Sequence, residues 1–406
     1  MIEAEVKEGN DRTWCFWEQG EGPFEGLLAH RWDRMDFYGY HGKQVSLDLQ
    51  PYAYKMLRSG DFYAHCHKAL DHAPHIHRIQ DRVRGYEKGT GSEGTEILVH
   101  MQQKTVQAPL VFASITLEGA LDEARQGLWL NQHFKGYYLA SEEPLFEGLT
   151  ARLMDFRVEQ VDGYPCFVYV LPTDAHHALV EYTVFSPDAW TNAAYDAPLH
   201  RYMEENLGLR GNFQVLHTEY GQIPMTDYDF EGAWRRRYPD LPGLVPIGTM
   251  GGLGRPSTGY TFTNIQRHCE VILQVLGSGS PRDFRSDTPR DFRSRMPKRF
   301  KTYDATLLRV LQELTKTRKA DFGARMPSRF KHYDRTLLRV LVERKYPGHA
   351  LFERLFDRNP TALLLAFLDG QSRFGQEITI MNRSPRPVMM SAMIRNMLGN
   401  ASVPKG

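Results

Sequence analysis

Ile247–Gln266 reads IGTMGGLGRPSTGYTFTNIQ. A short apolar strand, Leu244–Gly248, runs into a turn crowded with Gly248, Gly251, Gly252 and Gly254. Pro256 follows, and the Tyr260–Leu276 stretch has the periodicity of a helix. Glycines let a backbone approach a ligand closely, and free N–H groups at a helix start favour an anionic phosphate. By glycine spacing alone, the same string also fits a tight turn feeding a buried helix.

Upstream of this segment the chain is mixed. Gln44–Leu49 alternates like a strand, and Ala53–Met56 reads as the opening of a helix. Strands are expected over Glu96–Gln102 and Gln107–Ile115, then over Gly136–Leu139, Ala151–Gln160, Tyr164–Leu171 and Ala178–Phe185. The last four suggest an antiparallel sheet with one face over a site. Downstream, Tyr303–Leu398 reads as helices broken by Pro347, Pro360 and Pro385. The 406 residues suffice for two domains, and a net charge of +1 offers no general field for nucleic acid. Cys15, Cys66, Cys166 and Cys269 lie far apart with no CxxC pair, which implies reduced thiols of a cytoplasmic protein. No run approaches the roughly 20 apolar residues of a membrane span, so membrane contact is expected to be peripheral.

Two features are unusual. Arg295–Glu313 returns almost unchanged as Arg325–Glu343, and PRDFRS occurs at Pro281–Ser286 and again at Pro289–Ser294. Two near-identical copies are too few for a solenoid and read as a duplication, one copy packing as a supernumerary helix. The second feature is that no strand–GxGxxG–helix opening occurs. Met1-Ile2-Glu3 instead reads as the end of a second strand.

Taken whole, Ile247–Gln266 resembles the second flavin-binding motif of the lycopene β-cyclase family. Further segments match in order: Asn10–Glu18 with Gly22–Glu25, Pro51–Tyr63, Gln132–Gly136, Leu153–Arg157, Leu179–Ser186 and Glu219–Asp227. The resemblance covers most of 1–276 and then 325–398, where the second repeat copy followed by Leu351–Pro360 fits better than the first. It implies an α/β fold: a truncated glutathione-reductase-type flavin-binding fold with an antiparallel β-sheet substrate domain and a helical C-terminal region. The expected divisions are 1–60 (remnant of the FAD-binding domain), 61–240 (mixed cofactor and substrate region), 241–276 (second FAD motif), 277–324 (duplicated insertion) and 325–406 (helical region). The resemblance implies FAD in its reduced form, with NAD(P)H as reductant. It assigns cofactor contacts to Glu3, Arg12, Gly248, Thr249, Gly251, Gly252, Pro256, Ser257, Thr258, Gly259 and Tyr260. The family's dinucleotide fingerprint would fall ahead of Met1, and Glu3 takes the place of the acid that holds the adenosine ribose. FAD is therefore expected to bind weakly.

The same resemblance makes Glu181, in Leu179–Thr183 (LVEYT), the catalytic acid. The implied substrate is an acyclic carotene such as lycopene. Protonation of a terminal double bond creates a carbocation, the neighbouring double bond closes a six-membered ring, and loss of a proton leaves a β-ring with no net redox change. A strand carboxyl between Val180 and Tyr182 can stay protonated by desolvation. Strand alternation alone fits a solvent-facing glutamate equally well. Trp14, Phe16, Trp17 and Phe134 offer ring faces for a cation or, more simply, for a core. Two other functions share this architecture: a flavin monooxygenase or dehydrogenase on an apolar substrate, and a non-catalytic carotenoid-binding remnant. His65, His67, His72, His75 and His77 read as a solvated helix and turn rather than a metal site. Arg383–Leu398 places Val388, Met389, Met393, Met397 and Leu398 along a helix beside Arg386 and Arg395, a pattern that fits either a bilayer contact or a core cap.

Overall fold

The computed structural model describes residues 1–90, 96–146, 148, 150–276 and 327–398. The first repeat copy and the rest of 277–324 lie outside the described residues.

The chain first lays down β1 (Thr13–Gln19), β2 (His30–Trp32), β3 (Arg34–Tyr38), β4 (Gln44–Asp48) and β5 (Tyr52–Arg58). β5 runs antiparallel between β1 and β2. The helix expected to open at Ala53–Met56 is therefore a strand. Its residues from Tyr52 to Leu57 are all buried, and both its edges are paired, so sheet contacts override the local helical reading. Helix α1 (Ser59–Asp71) begins directly after it and carries His65 and His67, with His72 and His75 in the turn beyond.

The second sheet has seven strands. Added to β3 and β4 are β6 (Trp129–Ser141), β7 (Ala151–Asp155), β8 (Cys166–Pro172), β9 (His177–Ser186) and, after α2 (Asp196–Leu207), β10 (Phe213–Thr226). The order is β10–β6–β9–β8–β7–β3–β4, antiparallel throughout except where β7 runs parallel to β3. The antiparallel sheet expected from the sequence is present, extended by β10 along nearly all of β6.

Both faces of this sheet are covered. Val180, Tyr182 and Val184 of β9 pack with Leu199, Tyr202 and Met203 of α2. The opposite face, with Leu130, Leu153, Phe167, Leu179 and Phe185, meets Trp17, Tyr54 and Met56 of the smaller sheet and a set of C-terminal helices. After α3 (Phe262–Leu276), these helices are α4 (Ser328–Glu343), α5 (Gly348–Arg358), α6 (Thr361–Leu368), α7 (Phe374–Arg383) and α8 (Arg386–Met397). α4 is the second repeat copy. Phe330, Leu338 and Leu341 sink its apolar side into the core, as its leucine spacing requires.

A three-stranded antiparallel sheet (Val83–Lys88, Ile97–Met101, Thr105–Ala108) and two short parallel pairs, Ile2–Glu3 beside Ile79–Gln80 and Val111–Ala113 beside Leu244–Pro246, are also present, so the strand expected over Gln107–Ile115 is split between the sheet and the second pair. The second pair delivers the chain into the glycine-rich turn at Gly248.

Candidate active site

Alternation along β9 puts Glu181 and Thr183 on the same face as Leu179 and Phe185, toward the smaller sheet. Thr183 donates its hydroxyl to Glu181 Oε1 at 2.9 Å. Glu181 lies deep beneath the opposing layer, although its residue as a whole is only half-buried. Its desolvation does not come from Val180 and Tyr182, which point to the other core. It comes from the layer opposite, since Glu181 is close enough to disturb the titration of Cys15, Tyr54, Tyr169 and Tyr260.

Gly136 of β6 pairs with Glu181 on one side and with Glu219 of β10 on the other. The three residues form one row across three strands, so the two glutamate backbones stand about 10 Å apart. Between them the glycine leaves room for the side chains to converge. A Cβ at Gly136 would meet Leu179 Cδ1 at 3.1 Å, Glu219 Cγ at 3.2 Å and Glu181 Cβ at 3.4 Å.

Glu219 is only 4% exposed, and neither carboxyl oxygen has a partner at hydrogen-bond distance and angle. Burial raises its pKa to about 7, opposed by nearby Thr13 and, more weakly, by the charge of Arg12. Burial first, and the negative charge of Glu219 second, push Glu181 well above the ordinary carboxylate range. Two carboxyls at such range titrate as a pair, with Glu181 pushed further toward its protonated form than Glu219.

Glu219 also lines a cavity of about 550 Å³. Leu179, Tyr138 and His217 share its wall on the large sheet; Thr13, Met56 and Ala29 face them, and Asn10, Arg58 and Asp61 stand on the remaining wall. His217 Nε2 is a second buried atom here without a hydrogen-bond partner. On the far side of Glu181, Tyr260 packs against Trp17 with ring centres 4.4 Å apart. Tyr169, Tyr260, Phe185 and Leu364 enclose a smaller apolar space there. The arrangement joins two neighbouring carboxyls whose burial favours the protonated form, a cavity with both polar and apolar walls beside Glu219, and a smaller apolar, aromatic-rich space near Tyr169 and Tyr260. It can deliver a proton to an apolar molecule and receive one back.

Residues 1–394 match the family model described as Lycopene cyclase protein. The chain belongs to the lycopene cyclase family. Among curated relatives, a lycopene beta-cyclase of Pseudescherichia vulneris is 26% identical over 273 residues, 64% of this chain and 63% of that protein. One from Paracoccus sp. (strain N81106 / MBIC 01143) is 28% identical over 166 residues, 38% of this chain and 41% of its own length. The alignments thus span less than two thirds of either relative. A geranylgeranyl bacteriochlorophyll reductase-like protein from Thermoplasma acidophilum shares the fold, with a TM-score of 0.54 and 14% identity over 96% of this chain and 91% of that one.

Within this lycopene cyclase fold, the residues expected at the cofactor separate. Gly248, Thr249, Gly251 and Gly252 form a tight turn at the end of the Leu244–Pro246 strand. Gly248 (φ 69°, ψ −160°) and Gly252 (φ 83°) hold backbone conformations open to glycine, and a Cβ at Gly251 would meet Pro246 backbone atoms at 2.9 Å. Ser257, Thr258 and Gly259 instead point inward. Ser257 donates to Asp334 Oδ1 at 2.7 Å, beside Arg255, which grips both Asp334 oxygens at 2.7 Å. Gly259 packs against Gln132, Pro256 is half-buried, and Tyr260 lines the smaller apolar space within electrostatic reach of Glu181. Glu3 sits in the parallel pair near Arg78, and Arg12 lies by Asp11 and within electrostatic reach of Glu219. Glu219 itself was not singled out by sequence. Its only signal was its place at the head of the matched segment Glu219–Asp227.

Proposed function

We propose that the chain closes the end groups of an acyclic carotene such as lycopene into β-ionone rings, an isomerisation with no net redox change. The observation that carries this reading is a pair of buried carboxyls, Glu181 and Glu219, facing one another across Gly136, with Glu219 on the wall of a 550 Å³ cavity and Tyr54, Tyr169 and Tyr260 within electrostatic reach of Glu181. A hydrocarbon has no group for an ordinary acid to hold, so the acid must be positioned and already charged with its proton. Glu181 donates that proton to the terminal double bond. Tyr54, Tyr169, Tyr260 and Trp17 then exclude water, which would otherwise trap the cation, and offer ring faces to it.

The turn Gly248–Gly252 fits close approach of a flavin, because positive-φ glycines at 248 and 252 end a strand in a tight turn with no side chain to stand between its backbone and a ligand. Gly248, Thr249, Gly251 and Gly252 would hold it, with Glu3 and Arg12 as further contacts. Ser257, bound to Asp334 beside Arg255, ties that segment to the core. Reduced FAD, replenished by NAD(P)H, would supply an electron-rich ring near the developing positive charge.

The substrate is a membrane lipid by chemistry, and the reading includes peripheral attachment of a cytoplasmic protein to the bilayer. Among the described residues no helix is long and apolar enough to cross a membrane. Exposed Phe374, Ile378 and Met381 on α7, and Met390, Ile394 and Met397 on α8, form two apolar stripes. Exposed Arg373, Arg383 and Arg386 border them, a combination suited to an anionic bilayer surface.

The test is conversion of lycopene by the purified chain with FAD under reducing conditions, followed by product identification. Glu181→Gln should keep the fold and reduce cyclisation by about 10²–10⁴-fold. Turnover within a few-fold of the unmodified chain would remove Glu181 from the role. An oxygenated or desaturated product would point to a monooxygenase or dehydrogenase instead.

A further inference from the structure

We propose that Glu219 is the base of this reaction: it takes the proton from the newly closed ring and returns it to Glu181 across Gly136. The inference rests on the cyclisation reading and deepens it. Ring closure puts one proton in and takes one out, at different carbons. A lone carboxyl would have to reach both. The structure supplies two, on either side of Gly136 in a single row across three strands.

Several observations set Glu219 apart from a structural glutamate. Among the described residues no ion pair reaches it, and its buried oxygens have only Thr13 and Glu181 as polar neighbours, none at full hydrogen-bond geometry. A buried carboxylate without a countercharge or well-formed hydrogen bonds is costly, so its retention calls for a use. It borders the 550 Å³ cavity, whereas the buried glutamate of the C-terminal helices, Glu377, is fully engaged by Arg329, Tyr333 and Ser372. Thr13 and Arg12 bias it toward the ionised form that a base needs. Replacing Gly136 with any other residue would crowd both carboxyls, so the row itself fixes their approach.

The steps balance. The O–H bond of Glu181 breaks as a C–H bond forms at the terminal double bond, leaving a tertiary cation. The π electrons of the neighbouring double bond form the ring C–C bond and move the cation onto a ring carbon. The C–H bond at the ring carbon attached to the polyene then breaks. Its electrons make the ring double bond, and its proton goes to the Glu219 carboxylate. Transfer from Glu219 to the Glu181 carboxylate restores the starting state, with no proton or electron consumed.

A cation on the ring carbon has three kinds of neighbouring C–H: at the polyene-bearing carbon, at a ring methylene and at a methyl group. A positioned base selects among them, so the product pattern reports on Glu219 in a way that loss of packing would not. Purified chain, Glu219→Gln, Glu219→Asp and His217→Gln are compared on lycopene with reduced FAD, and the ring isomers are separated and identified. Glu219→Gln should slow ring formation by about 10²–10⁴-fold. Its residual products should include rings with the double bond displaced, or water-trapped alcohols. Glu219→Asp should keep the β-ring pattern at reduced rate, and His217→Gln should keep that pattern even where its rate falls. β-Rings alone from Glu219→Gln, within a few-fold of the unmodified rate, would overturn the proposal. So would a changed pattern in His217→Gln with none in Glu219→Gln, which would make His217 the base. If Glu219→Gln does not fold, loss of the β-ring pattern in Glu219→Asp counts against the assignment. Failure of the unmodified chain to form any ring overturns the cyclisation reading as well, whereas conversion unaffected by Glu219→Gln removes the base alone.

Discussion

Gly136 is the residue on which the site's geometry depends. It needs no positive φ and makes no hydrogen bond with its side chain; its contribution is the absence of a Cβ between two glutamates. An added methyl group would lie 3.1–3.4 Å from Leu179, Glu219 and Glu181, closer than ordinary carbon contacts. Gly136→Ala should therefore push the carboxyls apart and cost about 1–3 kcal/mol of folding stability by overpacking. Displacing a reacting group by about 1 Å can lower rate about 10²-fold, and turnover should fall on that scale. Denaturant unfolding and lycopene turnover on the same preparation check both effects. Full activity in Gly136→Ala would show that the pair tolerates a wider gap. In the sequence this residue was visible only as the end of the matched Gln132–Gly136 segment. Its role depends on strands β9 and β10, which are 45 and 83 residues away in the chain.

At the scale of elements, the C-terminal helices divide into two roles. α4 anchors: Asp334 receives Arg255 and Ser257 from the glycine-rich segment, so the second repeat copy ties the strand–turn–helix to the core. α7 and α8 face outward. The sequence expectation for α8 grouped Val388, Met389, Met393, Met397 and Leu398 as one side. The structure packs Val388 and Met389 against the core and leaves Met390, Ile394, Met397 and Leu398 exposed. Phe374 at 62% and Met397 at 74% exposure are large apolar groups in water, a cost that a bilayer surface would relieve. Phe374→Asp with Ile394→Asp should weaken binding to vesicles containing anionic lipid by at least about tenfold, or 1.4 kcal/mol. Folding should be unaffected because neither side chain is in the core. Unchanged co-sedimentation with vesicles would rule out this face as the contact.

Over the whole molecule, burying the carboxyl pair makes stability depend on pH. The pKa of Glu219 in the folded chain is raised from 4.5 to about 7, so the folded state holds this proton more tightly than the unfolded state. The stability associated with it is complete below about pH 4.5, is lost as pH rises through about 7, and stays level above. A shift of this size corresponds to about 3 kcal/mol. Glu181, raised by burial and by Glu219, extends the loss to higher pH. Glu219→Gln should therefore flatten the fall in stability between pH 5 and pH 8, measured by urea unfolding at each pH. An equal fall in both proteins would mean that Glu219 ionises freely. The sequence by itself determined a good deal: strand alternation announced β6 through β9, and leucine spacing marked the buried side of α4. The ordered motifs also led to the lycopene cyclase family. These are local or linear signals, set by side-chain period and residue type. The sequence did not determine whether Glu181 faces water or protein, because alternation specifies two faces and not what covers each. That was decided when α2 took one face and the smaller sheet with the C-terminal helices took the other. Tertiary packing likewise made Tyr52–Arg58 a strand by pairing both its edges. It brought Glu219 beside Glu181 because register across three strands, which no local pattern encodes, placed both against the same glycine.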